Sequence, residues 1–281
     1  MDVFNLEWLE ENYINKKPVI YHIGCANLSS DSFRMQVCLP SATIFSFDCA
    51  KFWKEENLTF SSNFDMHYSH CAVSNKVCKK KFYYRDIEFG ETYRWCSTLS
   101  NNPRSPELGF NPEINFEIID CITVNEFCKT NPSPNFIYVC AEQEEYNILS
   151  SINEQHLPDI IWLENNDYYN DDESNSKIPY ETLKFTLENK NYRIEFKNKN
   201  HSLYVKNNYK ITMYKDIPYN SNQWSAHEKK LQERMWIKRY NLVKGSSWPT
   251  ITSINEFKNL EIWIQKECCD LGVSPDERFF I

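Results

Sequence analysis

Glycine is scarce in this chain: five residues in 281. A fold that cradles a dinucleotide through several loop glycines needs more than Gly24 alone supplies in its first turn. With 12 prolines and no repeat, collagen-like and low-complexity characters are excluded as well. Basic charge is also short. The formal net charge of -8 argues against a general nucleic-acid surface and against an anionic membrane, both of which call for a basic face. No apolar run approaches membrane-spanning length, and Met1–Asn5 lacks the basic and apolar regions of a secretory signal. Three chemical signatures are missing: no CxxC pair, no GxSxG elbow and no HExxH. The expectation is a soluble, cytoplasmic protein with no metal site.

What is present suits a large core. Hydrophobic residues make up 41% of the chain and aromatics 15%, enough for one α/β domain with a small extension. The eleven cysteines are irregularly spaced. Cys25, Cys38, Cys49, Cys71, Cys121 and Cys140 fall in or beside apolar runs, the pattern of reduced thiols used as small hydrophobes.

The chain is organised around residues 19–30. The apolar run Val19–Ile23 predicts a buried strand, Gly24 a turn, and Ser29-Ser30 the start of a helix ending before Pro40. In a nucleotide-type fold the turn amides and helix N-terminus of such a unit face a ligand; an ordinary turn after a buried strand is the plainer alternative. Thr43–Asp48 predicts a second buried strand ending in an acid. Asp48 sits where a carboxylate would accept two vicinal ribose hydroxyls, and it also suits a helix cap for 49–56. Strands are expected at 66–73, 80–84, 116–121, 136–140 and 159–164, with a long substrate-type loop over 86–115. Helices are expected at 123–129 and 142–152, and the acidic stretch 165–176 reads as a solvated loop. A helix at 180–189 and strands at 192–196 and 202–205 close a doubly wound sheet with an antiparallel addition. Beyond residue 210 the texture turns helical: 226–240, then one helix from a Ser253/Glu256 capping box that places Phe257, Leu260, Ile264 and Cys268 on one face. The boundaries are 1–210 for the α/β domain and 211–281 for the helical extension.

Order and spacing of these landmarks resemble the FkbM-type S-adenosylmethionine-dependent methyltransferases over residues 15–207. His22–Asn27 is similar to the family's Asp-x-Gly-Ala-Asn loop, and Phe45–Asp48 to its aromatic-Phe-Glu-Pro strand end. His70–Ser74 with Lys79–Tyr83 resembles its third strand and hairpin, Ser97–Leu99 a short Ser-Ser-Leu segment, and Ile122–Cys128 its Thr-Leu-Asp-x-Phe helix start. Phe136–Glu145 is similar to Phe-Leu-Lys-Ile-Asp-x-Glu-Gly-Ala-Glu, and Tyr192-Arg193 with Leu203–Lys206 to its closing strands. The sequence departs from that pattern at His22, Leu28, Tyr138, Cys140 and Gln143. Leu28 stands where a second loop glycine is usual, so its side chain is expected to crowd the ligand.

The resemblance implies a Rossmann-like, doubly wound α/β sheet of the class I methyltransferase type. It implies S-adenosylmethionine as cofactor, held by Gly24, Cys25, Asp48 and Ala72, and methyl transfer to an oxygen of a sugar, glycan or related small molecule. Glu142 is the first candidate base, with His22 and Glu145 behind it; a histidine satisfied within the turn is the alternative for His22. For Glu145 a helix-surface carboxylate is the favoured alternative. A second reading is a methyltransferase-like domain that no longer catalyses and serves as a binding or assembly module, with the C-terminal helices meeting a second copy or a protein partner. A nicotinamide oxidoreductase would need the fuller glycine fingerprint.

Overall fold

The computed structural model describes residues 5–13, 16–28, 31–64, 66–83, 116–141, 144–164, 180–198, 201–214, 226–244 and 248–270. Four near-continuous apolar runs form its central strands: β1 (Val19–Ile23), β2 (Thr43–Asp48), β7 (Phe136–Val139) and β8 (Ile160–Glu164). Strands of that composition are stable only with both faces covered, which a parallel sheet flanked by helices provides. They join β3 (His67–His70), β9 (Tyr192–Lys197) and β10 (His201–Lys206) in the order β3-β2-β1-β7-β8-β10-β9. The first five are parallel, and β10 runs antiparallel between β8 and β9. This is a Rossmann-like doubly wound α/β sheet. The antiparallel β10 distinguishes it from the all-parallel dinucleotide order.

One face of the sheet packs on α1 (Leu6–Tyr13), α2 (Asp31–Cys38) and α7 (Ala226–Val243); Leu9, Phe33 and Leu231 join Ile20, Ile44, Phe136 and Trp162 there. The opposite face, with Tyr21, Phe47, Ile137 and Leu163, is covered by α4 (Val124–Phe127), α5 (Glu145–Ser151) and α6 (Tyr180–Asn189). α3 (Lys51–Phe64) follows β2, with its last residue Phe64 and neighbouring Phe60 against Phe33. Register aligns Tyr68, Ser46, His22, Tyr138, Trp162, Leu203 and Phe196 in one row across all seven strands, on the α2 side.

Two expected elements divide. The strand read over 66–73 is two strands in different sheets: β3 stays in the main sheet, while β4 (Ala72–Val73) pairs with β6 (Phe116–Ile122) beside β5 (Cys78–Tyr83). A tight turn at Cys71, whose amide donates to Ser69 O at 3.0 Å, makes the break. The single helix expected after Ser253 is α8 (Ile254–Lys258) and α9 (Ile262–Asp270). Ser253 Oγ caps α8 by accepting the Glu256 amide at 3.3 Å, and the Glu256 carboxylate reaches back to accept from both Ser253 and Thr252, as the capping box requires. The Asn259 and Leu260 amides then close short turns onto Glu256 O and Phe257 O, which ends the helix before Ile262. These helices share a small core with α7 through Trp236, Tyr240, Trp248, Ile251, Phe257 and Ile264. Residues 211–214 run back along α1: Trp8 Nε1 donates to Thr212 O at 2.8 Å, and Tyr214 packs edge-on to Trp8. No helix among the described residues is long and apolar enough to cross a membrane.

Trp162 is 1% exposed and stacks on His201 at 5.1 Å between centroids. Trp162→Ala is expected to cost about 3–5 kcal/mol in urea unfolding, as a large buried aromatic leaves a cavity that the sheet cannot close.

Candidate functional site

The chain leaves β1 for β2 on one side and later places β7 on the other, so the order reverses between β1 and β7. Ligands of open α/β sheets bind at the carboxyl ends of strands flanking such a reversal. Here that edge is made by Gly24, Asp48, Cys140 and Glu164, the residues at or just past the ends of β1, β2, β7 and β8.

Gly24 has φ +77°, and a Cβ there would lie 1.8 Å from Cys140 O and 2.7 Å from Cys140 C. The turn therefore needs glycine for its own packing, whatever binds outside it. The Cys140 amide donates to Ile23 O at 2.9 Å and keeps the two strand ends together. Beyond Gly24 the loop is braced from within. Gly24 N and Cys25 N both donate to Phe47 O, at 2.9 and 3.1 Å. Ala26, at φ +47°, donates its amide to Asp48 Oδ2 at 2.9 Å. Asn57, fully buried on α3, donates to Ala26 O at 2.7 Å and accepts from Leu28 N at 2.9 Å. The amides of Gly24, Cys25, Ala26 and Leu28 thus meet protein acceptors, and the expectation that the turn amides face a ligand is corrected for these four. Leu28 is corrected too: its side chain is wholly buried in the core and crowds nothing at the edge. The Cys25 side chain is likewise in the core, and burial pushes its thiol well above the usual range.

Asp48 meets the cap reading offered for it. Oδ1 accepts the Ala50 amide at 2.8 Å, tying the chain just before α3, and Oδ2 holds Ala26. The Cys49 amide also donates to this carboxylate, so three amides share its lone pairs. Burial raises the carboxyl from 3.8 to about 6 against the pull of these amides. Ala72 is buried on β4 and registers with Cys121 of β6.

His22 is not at the edge. It is 3% exposed, stacks on Tyr138 at 4.5 Å, and its Nδ1 lies 2.7 Å from Ser32 Oγ. Ser46 Oγ donates to Ser32 Oγ at 2.9 Å and extends the run onto β2. Tyr138 OH donates to Asp31, which also holds Arg34 at 3.2 Å. Burial lowers the His22 pKa to about 4, with Asp31 opposing. His22 is therefore a neutral member of a core network rather than an accessible base.

Glu142 lies outside the described residues, as do 86–115 and 165–176. Its neighbours are described. Glu145 is corrected from a surface carboxylate: it is 4% exposed and accepts the Ala141 amide at 3.0 Å. Glu144 is buried in a salt bridge with Lys80 at 3.2 Å, and Ser74 Oγ donates to it at 2.8 Å. At the edge itself, Cys140 Sγ donates to the carboxylate of Glu164. No group of His, Cys, Asp or Glu among the described residues could hold a metal ion. Asn57 and Glu164 are the positions that sequence reasoning missed. An acid closing an apolar strand marked Glu164, whereas nothing in the helical pattern marked Asn57.

No protein-family model matches this chain, and no curated protein does. Among solved structures it is similar to the precorrin-6y C5,15-methyltransferase of Geobacter metallireducens GS-15, at 11% identity and a TM-score of 0.35, over 67% of this chain and 79% of that one. A likeness that low carries no functional assignment.

Two outcomes are expected from this geometry. Gly24→Ala should cost on the order of 3 kcal/mol or leave the chain insoluble, read by urea unfolding and soluble yield. His22 contributes stability that is present above about 6.5 and lost as pH falls through about 4, because the folded state resists its protonation. Asp48 works the other way: its contribution is full below about 3.8 and lost as pH rises through about 6. His22→Phe should be less stable at neutral pH by about 1–3 kcal/mol, through loss of the Ser32 bond. It should also lose less stability than wild type on acidification from 6.5 towards 4; an unchanged slope would show that His22 does not carry it.

Proposed function

We propose that this protein is an S-adenosylmethionine-dependent O-methyltransferase acting on a hydroxyl of a sugar, glycan or related small molecule. The observation that carries the reading is Asp48: a carboxylate at the end of the second strand, beside the reversal in strand order, with acceptor capacity left beyond its three amide partners. That capacity suits a ribose hydroxyl. In this reading Gly24 and Cys25 supply the backbone wall of the cofactor site, and Ala72 a small side chain beside it. When bound, the cofactor supplies a methyl group activated on a sulfonium. The protein's part is to hold that group and the acceptor oxygen in line, and to take the hydroxyl proton. Glu142 is proposed as the base. Glu144 is committed to Lys80, and Glu145 to the Ala141 amide.

A second reading is favoured by one specific observation. The loop amides are met from inside, so the turn is complete without a ligand, as expected of a fold kept for binding or assembly. Exposed Ile262 and Trp263 on α9 then belong to the surface that a partner would meet.

Calorimetric titration with S-adenosylmethionine and S-adenosylhomocysteine separates the two. Micromolar binding that weakens at least tenfold in Asp48→Asn, while 5′-methylthioadenosine weakens in parallel, is the expected result for a ribose contact. Binding unchanged in that variant removes Asp48 from the site, and no binding of either compound to wild type supports the module.

A further inference from the structure

We propose that Cys78 and Cys121 are a covalent modification site: they close a reversible cross-strand disulfide when the protein meets a disulfide oxidant such as glutathione disulfide. The two residues are direct partners in the antiparallel β5–β6 pair, and both thiols are reduced. Directly opposed residues share one face of the sheet with Cβ atoms about 4.5–5.5 Å apart. A disulfide asks for about 3.5–4.5 Å between Cβ atoms and about 4.4–6.8 Å between Cα atoms. The backbone register therefore nearly meets the requirement, and closure is a small approach of two strands already paired.

The surroundings favour one order of events. Cys78 is the accessible member, and its other contact is a weak donation to Lys76 O at 3.6 Å. Cys121 is 1% exposed, among Phe82, Ile119 and Trp53. The Cys78 thiolate attacks one sulfur of glutathione disulfide, and a glutathione thiolate leaves. Cys121 then loses its proton and attacks Cys78 Sγ, expelling the second glutathione. The two protein thiols give up two protons and two electrons, and the oxidant leaves as two molecules of glutathione. Burial pushes the Cys121 thiol up to about 12, with the Lys80 ammonium opposing, so the second step is slow near neutrality and quickens with pH.

The position gives the bond a consequence. Cys121 also registers with Ala72 and packs in the cluster that holds Cys49 and Ala50, directly after Asp48. Closure thus draws on the small sheet where it abuts the carboxyl edge. The inference rests on register and exposure alone and holds for either reading of function.

The test uses the full chain, incubated with glutathione disulfide, unfolded, alkylated with iodoacetamide and mapped by mass spectrometry. Expected is a first intramolecular disulfide joining Cys78 and Cys121, reversed by dithiothreitol and formed faster as pH rises. Cys78→Ser, a change at the accessible member, should keep the circular dichroism spectrum and lose this bond, while Cys71→Ser should retain it. A first disulfide between other cysteines would overturn the proposal. So would Cys78 held as a glutathione adduct beside an alkylated Cys121, or both cysteines recovered fully alkylated.

Discussion

The carbonyl of Cys140 lies where the side chain of residue 24 would be, and much of the candidate site follows from that contact. Because the end of β7 presses on the turn after β1, the turn takes a left-handed conformation at Gly24. It then folds back so that Phe47 O receives two successive amides. Ala26 follows in a second left-handed position, which an alanine does not hold unaided. Asp48 and Asn57 hold it, one on its amide and one on its carbonyl. Strand ends, turn and α3 are one hydrogen-bonded assembly. The edge is preorganised, which lowers the cost of ordering it around a ligand.

Behind this edge lies a polar layer inside an otherwise apolar core. Ser46, Ser32 and His22 form one hydrogen-bonded run, and Tyr138, Asp31 and Arg34 a second, with the His22 and Tyr138 rings stacked between them. Buried polar groups are tolerable when they find partners, and such a network fixes geometry more sharply than apolar packing does. It joins β1, β2, β7 and the start of α2, the elements that meet at the strand reversal.

The Cys140–Glu164 and Glu144–Lys80 pairs flank residues 142–143 in sequence. The first stands at the main-sheet edge; the second ties the small β4-β6-β5 sheet to the approach of α5. Glu144 and Glu145 are both buried and both already partnered. A burial penalty of several kcal/mol on an unpaired charge explains why they are.

By itself the sequence determined the strands and their approximate ends, because four apolar runs bounded by turn residues can be satisfied only as a covered parallel sheet. It also marked Gly24 and Asp48 from chain-local features: a turn, a strand end and a following helix. Tertiary structure decided everything that depends on which atoms meet across the chain. It turned Leu28 into the core, made His22 a neutral core residue, buried Glu145, and recruited Asn57 from a helix 29 residues beyond Leu28 to hold the loop. It also divided residues 66–73 between two sheets, since strand propensity is the same on both sides of Cys71 and only the partner strands differ. Local pattern reports whether a residue is apolar and how it repeats; the partner of a buried polar atom is set by packing between distant segments, and that is where the chemistry of this edge is defined.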